Sequence, residues 1–155
     1  MCHPAGHRDG TGRGGIPPGG PGPLTRARRR LVGGRAYGGQ VDTREAAQRW
    51  ADVWERGWTE HDAAAITALY AEGALWQQHP FRDPEPGYLA RVFAEEESSR
   101  CQFGTPIVDG DRAAVPWTAQ TRLTDGGTQD LAGVSLVRFG PDGLVVEERD
   151  FCHEA

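Results

Sequence analysis

Two hydrophobic periods follow one another along this chain, and their order limits what it can fold into. From Asp42 to about Glu97 large apolar residues recur every three or four positions, whereas from Cys101 to Phe151 they alternate, with Asp-Gly pairs between the runs. The first pattern is that of amphipathic helices and the second that of half-buried strands. A helical period that gives way for good to a strand period implies an α+β fold, helices packed on one face of an antiparallel sheet.

Ala46, Trp50, Val53, Trp54 and Trp58 set the face of a first helix, and Asp42 followed by Glu45 is a capping box of the Asp variety. Asp62 opens a second helix through Ala65, Ile66, Leu69 and Tyr70. Ala74 to His79 reads as a short strand. The proline-rich loop from Pro80 to Gly87 ends at a third helix, Tyr88 to about Glu97. Strands are then expected at Cys101 to Val108, Ala113 to Leu123, Leu131 to Phe139 and Leu144 to Phe151, turned by Asp109-Gly110, Asp125-Gly126 and Asp142-Gly143.

Residues 1–40 are a different material. They hold 12 of the 22 Gly, 5 of the 11 Pro, seven Arg and one acid, Asp9, against ten Arg and 21 acids in the remaining residues. So few large apolar side chains cannot offset the entropy of ordering, and the segment reads as a disordered basic tail in front of a domain over 41–155. Val41 stands just before the first helix, and a valine codon can serve as a bacterial start, so a mis-set start is one explanation of the tail. Gly10, Gly12 and Gly15 fit G-x-G-x-x-G with neither a strand before nor a helix after, so the dinucleotide reading fails its structural test. Arg26 to Arg30 is followed by Gly33 and Gly34 rather than an apolar stretch, which excludes an export signal.

All 17 basic residues are Arg; the chain has no Lys and no Asn. Without an ε-amine there is no imine chemistry, no pyridoxal phosphate enzyme and no P-loop. Three cysteines without a C-x-x-C give neither a disulfide framework nor a zinc knuckle, and a reduced, cytoplasmic protein is the expectation. No segment approaches the roughly 20 apolar residues of a membrane span.

The order helix, helix, strand, helix, four strands, with Gly57 to Asp62, the segment Ile66 to Phe81, Asp109 to Val115 and Val137 to Phe151, resembles the nuclear transport factor 2-like superfamily. Within it the chain is most similar to the bacterial SnoaL-like group, relatives of polyketide cyclases and ketosteroid isomerase. The resemblance implies a cone, three N-terminal helices and a curved, mainly antiparallel sheet around a pocket, with homodimers common through the sheet. It also allows a comparison residue by residue. The position of the isomerases' base falls on His79, that of their helix tyrosine on Trp54, and that of their strand acid on Ser135, so none of the three is retained and steroid isomerisation as such is not expected.

A site can still be assembled. By the same resemblance the last strand turns Glu148, Asp150 and Cys152 to the pocket. His79 would be a general base oriented by Asp150, and Trp54 and Ser135 would donate to a developing oxyanion. Trp76, Trp117, Tyr88 and Glu148 would line the substrate. Against this, His79 can be a structural rim histidine, Asp150 can pair with Arg149 or Arg138 across strands, the tryptophans can be core, and Glu95 to Glu97 a solvated helix end. No ligand spacing joins His61, His79 and His153, so no metal is expected. The expectation is a protein for a small hydrophobic molecule, without cofactor, nucleic acid or membrane partner. It is either an acid-base isomerase, cyclase or dehydratase of a carbonyl compound, or a non-catalytic ligand-binding or dimeric accessory domain.

Overall fold

The computed structural model describes residues 41–155, and the first element starts where the sequence signals it. The Asp42 side chain accepts from the Arg44 N–H at 2.7 Å, and α1 runs Thr43–Thr59 with Ala46, Ala47, Trp50, Ala51, Trp54 and Trp58 on its buried face. Asp62 caps α2 (Ala63–Thr67) by accepting from the Ala65 N–H at 2.9 Å. The expectations for the tail, its disorder and the mis-set start, lie outside the described residues.

The second helix is shorter than expected and the first strand begins earlier. α2 ends at Thr67, and Leu69 and Tyr70, read as helical, instead lead into β1 (Tyr70–Gln77). The Leu69 carbonyl accepts from the Val145 N–H at 2.8 Å, and Tyr70 pairs in parallel with Val145. A partner 75 positions along the chain decides the conformation there, and no local pattern carries that information.

After α3 (Tyr88–Glu95) the chain passes straight into β2 (Glu96–Phe103), then β3 (Ile107–Asp109). The single strand expected at Cys101 to Val108 is thus two, both on the same edge of β4 (Arg112–Leu123). Pro106 lacks a ladder donor, and Gly104 turns aside to donate its N–H to the Pro116 carbonyl at 2.8 Å. β5 (Thr128–Phe139) and β6 (Val145–Glu154) complete a sheet in the order β1-β6-β5-β4-β2, antiparallel except for β1 against β6. α1 lies against β2 and β4, and the core between helices and sheet is filled by Trp50, Trp54, Ile66, Val92, Val115 and Val137.

One close approach shapes the inner face. Gly133 stands directly opposite Trp117, whose indole lies over it; a Cβ there would sit 2.6 Å from Trp117 Cζ2 and collide with the Phe151 carbonyl. Backbone on one side and a buried ring on the other leave nothing to give way. Gly133→Ala should lower unfolding free energy by about 1–3 kcal/mol, the usual effect of overpacking, as read from urea denaturation; an unchanged midpoint would show that the strand can shift.

Candidate functional site

Which side chains of β6 face the helices is set by one irregularity. Phe139 pairs with Val145 but Arg138 pairs with Glu147, so Val146 is an extra residue in β6. Such a bulge moves the inward parity by one position. Beyond it Glu148 and Asp150 point inward, 0 % and 1 % exposed, while Glu147 and Arg149 point out. Two carboxylates two residues apart on one strand face are thereby placed inside an apolar core.

Each carboxylate is held by donors from the aromatic side chains around it. Glu148 Oε2 accepts from Trp50 Nε1 at 3.1 Å and from the Tyr70 hydroxyl at 2.5 Å. Asp150 Oδ2 accepts from Trp76 Nε1 at 3.0 Å, and Oδ1 from the Ser135 hydroxyl at 2.5 Å, while Ser135 Oγ accepts from Trp117 Nε1 at 3.1 Å. Burial pushes Glu148 well above the ordinary carboxylate range, the negative charge of Asp150 adds to this, and the bonds from Tyr70 and Trp50 act against it. Burial, followed by the neighbouring Glu148, raises Tyr70 as well.

Glu148 Oε1 is buried and has no hydrogen-bond partner among the described residues, and neither has Trp54 Nε1. Oε2 already receives two donors, so a proton on Glu148 would sit on Oε1. The Trp54 ring lies between those of Trp50 and Trp76, with centroids 5.6 and 5.4 Å away. A buried indole N–H and a buried carboxyl oxygen, both without a partner among the described residues, therefore stand in the same aromatic wall, each unmet group costing about 1–3 kcal/mol.

The residues expected to form the site divide into two sets. Trp54, Trp76, Trp117, Ser135, Glu148 and Asp150 come together inside, and Tyr88 joins them through an edge-on contact with Trp76 at 5.3 Å. Asp150 pairs with Ser135 and Trp76; Arg138 and Arg149, the alternative partners, both bond Glu147 on the other face. His79 is placed differently. β1 ends at Gln77, and in the bend that follows Gln78 is buried whereas His79 is only partly so. Its Nδ1 accepts from the Phe81 N–H at 3.2 Å, burial and then Arg82 lower its pKa, and it lines a surface depression of about 620 Å³ with Phe81, Val134, Phe151 and His153. No hydrogen bond or ion pair to Asp150 is among its described contacts. The oxyanion role of Ser135 also changes, because its hydroxyl proton is spent on Asp150. Trp50 and Tyr70, expected on helix faces, hold a carboxylate instead; the signal available was the pair Glu148, Asp150 itself, which needs inward donors. No three His, Cys, Asp or Glu side chains among the described residues stand close enough to hold a metal ion. No helix among them is long and apolar enough to cross a membrane.

A family model described as a SnoaL-like domain matches residues 47–148. Among solved structures, the epoxide hydrolase/cyclase-like enzyme SalBIII of salinomycin pyran ring formation superposes with a TM-score of 0.60 at 19% identity, covering 72% of this chain and 93% of that one. An epoxide hydrolase of Mycobacterium tuberculosis gives 0.59 at 13% identity, covering 72% and 86%. A nuclear transport factor 2-like protein from Exiguobacterium gives 0.57 at 15% identity, covering 71% and 99%. These likenesses show the fold, the α+β cone expected from the sequence. No curated protein is similar enough in sequence to match.

Glu96, expected with Glu95 and Glu97 in a solvated helix end, is instead a third buried acid. Glu96 is 5 % exposed at the junction of α3 and β2; its Oε2 accepts from Trp58 Nε1 at 3.1 Å, and His61 Nε2 approaches to 3.7 Å. His61, in the left-handed region at φ 54°, stacks on Phe93 with centroids 4.7 Å apart. Burial pushes the Glu96 carboxyl up to about 7, partly offset by the Trp58 bond. Between the ordinary carboxylate range and that value the unfolded chain gives up a proton that the folded one keeps, so this group's contribution to stability falls as pH rises through the window. Glu96→Gln should lose less stability than the parent between about pH 5 and about pH 8, as followed by denaturant midpoints; parallel profiles would show that Glu96 ionises normally.

Proposed function

The chain belongs to the SnoaL-like domain family, and on that footing we propose that it is a cofactor-independent acid-base enzyme. Its substrate is a small hydrophobic molecule with a carbonyl or epoxide oxygen, bound inside the cone, and its reaction an isomerisation, cyclisation or dehydration. The observation that carries this reading is the buried pair Glu148 and Asp150, of which Glu148 is pushed well above the ordinary carboxylate range by burial and keeps one oxygen without a partner. Pairs of acids whose surroundings drive their pKa values apart serve as donor and acceptor of protons in one step. The naming of similar folds as epoxide hydrolase and cyclase enzymes agrees with such chemistry.

In this scheme the substrate oxygen accepts from Trp54 Nε1 and Glu148 Oε1, so both unpartnered groups are satisfied on binding. Glu148 gives its proton to that oxygen as negative charge develops. Asp150 takes a proton from the attacking hydroxyl or from the carbon next to a carbonyl, and exchange with solvent resets the pair. The aromatic wall excludes water, which strengthens both transfers. His79, at the surface depression, is given no step.

A second reading, a cone that binds without turnover, is favoured by the hydrogen bonds from Ser135 and Trp76 that already engage both Asp150 oxygens. A panel of hydrophobic ketones and epoxides, followed by thermal shift and by product analysis, separates the two. Turnover lost by a factor of about 10² or more in Glu148→Gln and in Asp150→Asn, with Trp54→Phe lowering kcat by about 10² in protein that is still folded, supports catalysis. The acid role further implies that activity falls on the alkaline side, as Glu148 finally ionises. Melting shifts without product would support binding alone, and neither shift nor product from any such compound would refute a cone ligand of this class.

A further inference from the structure

Three indole rings contact Trp54, and each of them is pinned by a different buried acid. Trp50 lies 5.6 Å away, Trp76 meets it edge-on at 5.4 Å, and Trp58 stacks on it at 5.7 Å with the planes 18° apart. Their N–H groups go to Glu148, Asp150 and Glu96 in that order. Glu148 and Asp150 belong to the site already described. Glu96 lies at the junction of α3 and β2 and reaches Trp54 through Trp58, one turn further along α1.

The surroundings of Glu96 let it change charge in place. The oxygen that accepts from Trp58 also faces His61 Nε2 at 3.7 Å, a buried nitrogen without a hydrogen-bond partner among the described residues. The His61 side chain as a whole is 30 % exposed, so the imidazole reaches from water to the buried carboxyl. Its backbone, at φ 54°, is the one non-glycine position at positive φ among the described residues. Such a conformation costs energy and persists where the surroundings impose it. The other titratable groups at this place are Glu95 on α3, which adds to the effect of burial on Glu96, the Cys101 thiol on β2, pushed up to about 12 mainly by burial, and Glu55 on α1, which accepts from the Phe103 N–H. From β4, the uncharged Leu123 stands opposite Glu96.

We propose that Glu96 is a positioning residue for the Trp54 donor, acting through Trp58, and that its ionisation sets the acid limit of the site. A charged acceptor shortens and strengthens a hydrogen bond. Loss of the Glu96 proton, by way of His61, therefore draws the Trp58 indole in and fixes the ring stacked on it. With Glu96 neutral, Trp58 is held less firmly and the Trp54 N–H is less well aimed. The proposal rests on the reading of Trp54 as donor to the substrate oxygen, and it adds a lower bound in pH to that reading. The alkaline limb of activity belongs to Glu148 and the acid limb, at about 7, to Glu96.

The test is proton–nitrogen NMR of the indole N–H groups in the full chain, titrated from about pH 5 to about pH 9. The Trp54 and Trp58 signals, identified by their loss in Trp54→Phe and Trp58→Phe, are expected to shift with one common midpoint, Trp58 moving downfield as its acceptor becomes charged. Both should stay constant in Glu96→Gln, whose amide oxygen still accepts from Trp58, and Trp54 should stay constant in Trp58→Phe. A Trp54 signal that does not move with Trp58 in the parent overturns the proposal whether or not either variant folds. So does one that keeps titrating in Glu96→Gln or Trp58→Phe. No substrate is needed, so the outcome is independent of whether the cone turns anything over. Where turnover is found, its acid limb should share the midpoint and vanish in Glu96→Gln; an acid limb kept by that variant would overturn the role of Glu96 and leave the acid-base reading standing.

Discussion

Two acids turned into one apolar core cannot both keep a full charge there, and the arrangement around β6 follows from that constraint. A carboxylate moved out of water needs donors or a proton. Asp150 has donors on both oxygens, from Ser135 and Trp76, and Glu148 has donors on one oxygen only, from Trp50 and Tyr70. The inequality leaves one oxygen of Glu148 without a donor. Four of the five tryptophans of the chain then have their indole N–H on a buried oxygen, three of them within this network and Trp58 on Glu96. The fifth, Trp54, is the exception, and for that reason the most informative ring in the protein.

The helix and the sheet meet this constraint from opposite sides. α1 presents Trp50, Trp54 and Trp58 one turn apart, a spacing that stacks their rings along one face and aims the outer two at Glu148 and Glu96. The sheet contributes the bulge at Val146, without which Glu147 and Arg149 would point inward and Glu148 and Asp150 would sit in water. One inserted residue thus separates a buried acid pair from the outward Arg138–Glu147–Arg149 cluster, and the candidate site depends on it.

Much of this was legible in the sequence, and the parts that were not share a cause. α1 followed from the spacing of its tryptophans and the Asp42 cap, and the hairpins from their Asp-Gly turns, because both signals are local. The inward turn of Glu148 and Asp150 came from the family resemblance and was right. Leu69 and Tyr70 misled because a strand 75 positions away captures them, and Glu96 misled because its partners Trp58 and His61 lie on another element. The proposed His79–Asp150 pair rested on aligned position alone. β1 ends at Gln77; Gln78 is buried, its side-chain oxygen accepting from the Glu85 N–H at 3.0 Å and fixing the loop, and His79 lies at the surface depression with Val134 and Phe151.

Acid catalysis by this pair requires Glu148 to keep its proton inside the folded protein at a pH where Glu96 has lost its own. Infrared spectroscopy reads this directly, through the carbonyl stretch that a protonated carboxyl has and a carboxylate lacks. At about pH 8, above the range of ordinary carboxyl groups, the folded protein should show one such band, absent from Glu148→Gln and present in Glu96→Gln. A spectrum with no protonated carboxyl, or a band that survives in Glu148→Gln, would contradict the assignment of Glu148 as the acid.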